Sequence, residues 1–117
     1  MVGFLQALGA EVPIVQAPMA GAGGVTLAVA AMRGGAVGSL PCAMLDAETV
    51  RAQADEVRAA SSGPLNLNFF CHALPPPPDE AAWRALLAPF YAEEGVVPGP
   101  PPPLRRPFDN AMCSVVE

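Results

Sequence analysis

The sequence predicts an α/β fold built on a parallel sheet, and three observations carry that expectation. Up to Leu74, short apolar runs alternate with segments of helical periodicity, as βαβ units require. The first run, residues 12–18, is uncharged and largely apolar on both faces, which suits a strand covered by helices. Glycines stand between the runs, at Gly21, Gly23 and Gly24, at Gly34 and Gly35, and at Gly63, where turns must fall.

Taken in order, residues 12–18 form the first expected strand. Residues 20–24 are too rich in glycine for a helix and make a turn. A nearly all-apolar helix follows over residues 25–32, ended by Arg33-Gly34-Gly35, where glycine is available for a left-handed cap. Residues 36–41 are the second strand. Asp46 caps a second helix that runs to about Ala60. Its inner stripe is Ala47, Val50, Ala54 and Val57, while Arg51 and Asp55 are spaced as an exposed i,i+4 pair.

The third strand is residues 64–70. A period of two sends Leu65, Leu67 and Phe69 to one side and Asn66, Asn68 and Phe70 to the other. An unpaired buried amide costs about 1–3 kcal/mol. The two asparagines therefore need either neighbouring backbone and water or a polar ligand. The C-terminal ends of the strands are where α/β folds place such ligands.

Beyond Leu74 the composition changes, with eleven of the fifteen prolines lying there, including the runs 75–78 and 100–103. Residues 79–94 read as a third helix whose stripe of Trp83, Leu86, Leu87, Phe90 and Tyr91 is expected to be a packing face. Pro89 should kink it against the Ala85 carbonyl. Residues 96–107 are an extended linker, and 108–117 begin another amphipathic helix. The division is thus 1–74 for the βαβαβ part, 75–107 for a helix with a Pro-rich insertion, and 108–117 for the start of a further helix.

Composition narrows the function. The chain has 117 residues, 6 basic against 11 acidic and a net charge of −5. This balance excludes a nucleic-acid or anionic-membrane surface, which needs clustered cations. Every basic residue is Arg, so Schiff-base lysine chemistry and the Lys-bearing phosphate loop are absent. Three cysteines without C-x-x-C spacing fit a reduced cytoplasmic protein, and neither a disulfide framework nor a zinc site is expected. The uncharged run 12–32 is long enough to span a bilayer, but its prolines and glycines break it into strand, loop and helix. Gly21-x-Gly23-Gly24 falls short of a dinucleotide fingerprint at Thr26. Cys71 and His72 are adjacent on an extended chain and point apart, so they are poorly placed as nucleophile and base. No catalytic residue and no metal ligand is assigned on these grounds.

Three pieces in order carry a family resemblance. They are Pro13-Ile14-Val15-Gln16-Ala17-Pro18-Met19-Ala20-Gly21, the second strand around Gly35 to Leu40, and Asn66-Leu67-Asn68-Phe69-Phe70-Cys71-His72. Together they resemble the N-terminal part of the nitronate monooxygenase family over essentially the whole chain. The resemblance implies a fold class in plain terms: the first three βα units of a TIM (β/α)8 barrel, with a Pro-rich insertion after the third strand. It implies FMN as cofactor, and alkyl nitronates and O₂ as substrates, converted to a carbonyl compound and nitrite. It implies that Pro18, Met19 and Ala20 pack along the flavin ring and that Asn68 contacts it. A Met thioether packs well on an aromatic ring, and an Asn amide offers both donor and acceptor.

A closed barrel of this class takes roughly 250 residues, and the family's histidine base lies on a later strand that His72 does not represent. The expectation is a truncated copy, inactive without the missing C-terminal half of the barrel. Two alternatives stand beside it. One is another FMN barrel, of the enoyl reductase or NADH:quinone reductase kind. The other is a non-catalytic module presenting its proline runs to aromatic-lined grooves.

Overall fold

The structure is a computed structural model that describes residues 3–116. It falls into two compact units, residues 73–105 and the described residues on either side of them. In the larger unit a short helix α1 (Phe4–Leu8), which the sequence pattern does not announce, is followed by an extended arm. Helix α2 (Val25–Arg33) leads to strand β1 (Gly38–Pro41) and a 3-10 turn at Cys42–Met44. Helix α3 (Ala47–Ala60) then crosses over to strand β2 (Leu65–Asn68). The two strands pair in parallel, Gly38 opposite Leu65 and Pro41 opposite Asn68. This is the α/β, parallel-sheet class the alternation predicts.

Each helix has a local cause. The Asp46 carboxylate accepts the Thr49 N–H at 2.8 Å, an N-cap where the sequence places one. That hydrogen bond from the Thr49 main chain, with its side chain adding to it, holds the Asp46 carboxyl below the ordinary aspartate value. Helix α2 closes with Gly35 N–H on Met32 O at 3.0 Å and Ala36 N–H on Ala31 O at 3.0 Å, the paired bonds of a Schellman ending. Helix α3 buries Val50, Ala54 and Val57. Val50 and Val57 meet Ala28, Val29 and Met32 of α2 together with Leu40 and Cys42 in one core. Helix α2 lies so close to β1 that a β-carbon on Gly38 would sit 2.5 Å from Ala28 O, a position only glycine fills.

The expected exposed pair on α3 is different in the structure. Asp55 lies 4.0 Å from Arg58, and the Arg51 guanidinium reaches instead to Ser114 O at 3.5 Å. Ser114 belongs to helix α5 (Asn110–Val116), which returns to this unit and adds Met112, Val115 and Val116 to the edge of the core. Helix α4 (Ala81–Glu93) lies between, in the smaller unit. The chain arrives at α5 through Phe108, whose ring centroid is 4.8 Å from that of Phe69 and whose N–H donates to Phe70 O at 2.8 Å. Position 117 of the expected last helix lies outside the described residues.

The first expected strand, residues 12–18, needs correction: it makes a single parallel bridge, Val15 opposite Val37. The bonds on either side of that bridge are regular, Val37 N–H to Ile14 O at 3.0 Å and Gln16 N–H to Val37 O at 2.9 Å. The next rung of a parallel ladder would need an N–H from residue 18, which is a proline and has none. Pairing stops there.

In the smaller unit, helix α4 (Ala81–Glu93) runs through Pro89 and ends with Gly95 N–H on Ala92 O and Val96 N–H on Tyr91 O. The expectation of a packing face on this helix also needs correction. None of its residues is buried, and Trp83, Leu86 and Phe90 are each at least 60% exposed. Within their own unit, Trp83, Leu87 and Tyr91 line a groove of about 380 Å³ with Pro98 and Pro100 to Pro102. Three of the five stripe residues thus face prolines of their own unit.

Candidate functional site

The sheet has two distinct faces. Leu65, Leu67 and Phe69 pack toward the helices and join the edge of the core. The alternation therefore sends Asn66 and Asn68 to the opposite face, as the period of two predicts. Ser39 pairs with Asn66 in the β1–β2 register and shares that face. It is the one fully buried polar residue among those described, and its Oγ accepts from Asn66 Nδ2 at 3.1 Å. One of the two asparagines is therefore answered by the protein itself.

Asn68 is different. Its main chain is engaged, pairing opposite Pro41 and hydrogen-bonding the Cys42 thiol. Burial nevertheless pushes that thiol above its ordinary value, the hydrogen bond from Asn68 pulling only partly back. The Asn68 side-chain amide is half-buried and makes no hydrogen bond to the described residues. A donor and an acceptor are left available at the C-terminal end of β2.

The second set of expected site residues follows the arm. Pro18 is half-buried, Met19 is 44% exposed, and Ala20 is exposed. The turn is closed by the Met19 carbonyl, which accepts from Ala22 N–H at 3.2 Å and from Gly23 N–H at 2.5 Å. A β-carbon on Gly23 would lie 3.0 Å from that same carbonyl, so the tightness of the turn depends on glycine here. Because the arm, β1 and β2 all run parallel, Pro18, Pro41 and Asn68 stand at the same, C-terminal, end of their strands.

Two residues of this region were not singled out by the sequence reading, Gln16 and Ser39. The Gln16 side-chain Oε1 accepts the Ser39 main-chain N–H at 2.8 Å, and its Nε2 donates to Ala17 O. A small polar residue in the middle of an apolar strand, opposite an asparagine, is the signal that could have found Ser39. His72 and Cys71 are both exposed on the segment after β2, and the His72 ring stands edge-on to Phe70 at 6.1 Å. No hydrogen bond joins Cys71 to His72. Among the described residues no group of three His, Cys, Asp or Glu is arranged to hold a metal ion, and no helix is long and apolar enough to cross a membrane.

A parallel α/β segment with polar side chains gathered at the C-terminal strand ends, on the face away from the helices, has the build of a barrel-type α/β enzyme. Solved structures agree. Nitroalkane oxidase from Streptomyces ansochromogenes matches with a TM-score of 0.71 at 28% identity, over 92% of this chain and 31% of that one. FabK from Thermotoga maritima matches with a TM-score of 0.53 at 27% identity, over 76% of this chain and 26% of that one. Both neighbours are TIM-barrel enzymes.

No family profile matches the chain. Among curated proteins, it is 40% identical over 97 residues to nitronate monooxygenase of Pseudomonas aeruginosa, an alignment covering 81% of this chain and 28% of that protein. It is 39% identical over 98 residues to nitronate monooxygenase of Paraburkholderia phytofirmans, covering 81% and 26%. A putative nitronate monooxygenase of Saccharomyces cerevisiae is 35% identical over 97 residues, covering 71% and 24%. The chain is a homologue of these nitronate monooxygenases over most of its own length. It spans about a quarter of the length of these relatives.

Proposed function

We propose that the chain is the opening part of a nitronate monooxygenase barrel, carrying one side of its FMN site. The observation that supports this most is the identity of 39–40% with two nitronate monooxygenases over 81% of the chain. In this reading residues 12–18, β1 and β2 are the first three barrel strands. Helix α5 follows the third, and residues 75–107 are an insertion before it. Cysteines that form no disulfide suit a cytoplasmic protein.

The donor set is compatible with FMN. Met19 presents an exposed thioether for a planar ring, and the Asn68 amide has a donor and an acceptor to direct at polar ring edges. The residues that hold the flavin would be Pro18, Met19, Ala20 and Asn68. When bound, FMN supplies the redox chemistry by which an alkyl nitronate and O₂ become a carbonyl compound and nitrite. The chain's own contribution is to seat one face of the ring and to fix its orientation through Asn68. His72 has no role in proton transfer in this reading, and catalysis depends on the remaining barrel.

The experiment is nitrite release from propyl nitronate in air. The chain with FMN is expected to release none above the protein-free rate, and to do so once the remaining barrel of a relative is supplied in trans. Turnover by the chain alone would overturn the proposed incompleteness. No nitrite from the completed barrel, with rapid FMN reduction by NADH instead, would favour the enoyl reductase reading that the FabK neighbour supports. The reading as a proline-presenting module is weakened by the groove, since Pro100 to Pro102 already line it with Trp83, Leu87 and Tyr91.

A further inference from the structure

We propose that Gln16 is a positioning residue, whose side chain replaces its own main-chain carbonyl in the ladder to β1 and so holds the Pro18-Met19-Ala20 turn off the sheet. The inference rests on the flavin reading only for what the turn is held to do.

Two successive rungs between the arm and β1 differ. At the first, Val37 bonds both neighbours of Val15 through main-chain groups, to Ile14 O at 3.0 Å and from Gln16 N–H at 2.9 Å. A continued parallel ladder would next bring Ser39 opposite Ala17. That rung needs Ser39 N–H on the Gln16 main-chain carbonyl and an N–H from residue 18 on Ser39 O. Neither bond forms. Pro18 has no N–H, and Ser39 N–H goes to Gln16 Oε1 at 2.8 Å.

A side-chain amide therefore stands between two main chains that would otherwise touch. Ser39 is fully buried, so its N–H could not be left without a partner at small cost. Gln16 provides that partner while keeping the strands apart by the length of its side chain. Its Nε2 donates to Ala17 O, which ties the amide to the departing arm. On the other side, Ser39 Oγ is held by Asn66 on β2. One polar layer thus links the arm that leads to Met19 with the strand that carries Asn68.

Proline alone would end the pairing without fixing where the chain goes next. Gln16 adds the fixed distance. Removing its amide frees the buried Ser39 N–H to take the main-chain carbonyl of residue 16, and the turn moves toward β1.

The test uses the full chain with ¹³C-methyl methionine labelling and two variants. In Gln16→Leu the Met19 methyl resonance is expected to shift, while that of Met112, on the helical side, stays in place. In Gln16→Glu, which keeps an acceptor for Ser39 N–H, the Met19 resonance is expected close to its original position. Equal Met19 spectra for the parent chain and Gln16→Leu would overturn the proposal, as would equal displacement in both variants. If Gln16→Leu does not fold, the same comparison is made between the parent chain and Gln16→Asn, whose shorter arm is expected to shift Met19. FMN fluorescence quenching gives the second readout, with affinity expected to fall at least about tenfold in Gln16→Leu. A parent chain that does not quench FMN counts against the flavin reading and leaves the methyl result to decide the positioning claim.

Discussion

Helices α3 and α4 have nearly the same length, 14 and 13 residues, and opposite fates. Helix α3 is the more polar of the two, yet it buries Val50, Ala54 and Val57. Helix α4 carries a Trp, two further aromatics and two leucines on one stripe and buries none of its residues. The difference lies in what the chain does at each end. Helix α3 is a crossover between two hydrogen-bonded parallel strands, so its apolar stripe is delivered onto the sheet and onto α2. Helix α4 is flanked by proline runs that form no ladder, and within its unit Trp83, Leu87 and Tyr91 line a groove with Pro98 and Pro100 to Pro102. Periodicity says that a helix has an apolar side; connection to a sheet decides whether that side is covered.

This contrast can be broken most severely at Leu40, which is fully buried at the centre of the larger unit. Leu40→Ala is expected to cost about 2–5 kcal/mol of unfolding free energy, read as loss of far-UV dichroism in urea. Trp83 is the single tryptophan and lies in the smaller unit, so its emission is expected to keep its wavelength in the same variant. A co-operative red shift on unfolding would show that the two units melt together.

A smaller effect sits at the start of α3. The folded Asp46 carboxyl is held low by the Thr49 N–H, so its contribution is present above the unfolded aspartate value. It is lost as pH falls through the lowered folded value. The parent chain is therefore expected to lose more melting temperature than Asp46→Asn between pH 6 and the acid side of the carboxylate range, taken as approximate limits. Identical slopes would remove the cap from the account.

The least effect is expected at Trp83, which is 65% exposed. Trp83→Ala should change urea unfolding of the larger unit, followed by dichroism, by no more than about 0.5 kcal/mol. A larger loss would show that Trp83 contributes to the stability of the larger unit.

Much of this was legible in the sequence, for identifiable reasons. The Asp46 cap, the inner stripe of α3, and the two faces of the 65–69 run each follow from spacing that one element alone determines. What escaped was decided between elements. Residues 12–18 read as a strand because their side chains suit one, but pairing ends where the Gln16 side chain enters the ladder and Pro18 lacks an N–H. Pro18 could be read from the sequence; the partner chosen by the Gln16 amide could not. Arg51 likewise had an acidic neighbour at helical spacing, and a carbonyl on α5, far along the chain, drew it away. The exposure of Trp83, Leu86 and Phe90 escaped for the same cause, since a pattern cannot show how much of a stripe its neighbours cover.

The outer edge of β2 carries one last consequence. Its inner edge is occupied by β1, and in a parallel ladder the main-chain groups of alternate residues, here Leu65 and Leu67, turn the other way. No third strand meets them among the described residues, and residues 64–70 contain no charge to repel a newcomer. Such a border attracts other extended chains. In concentrated solution the protein is therefore expected to associate along this line, and Phe70→Lys, at a side chain 43% exposed, should keep it dispersed at concentrations where the parent clouds.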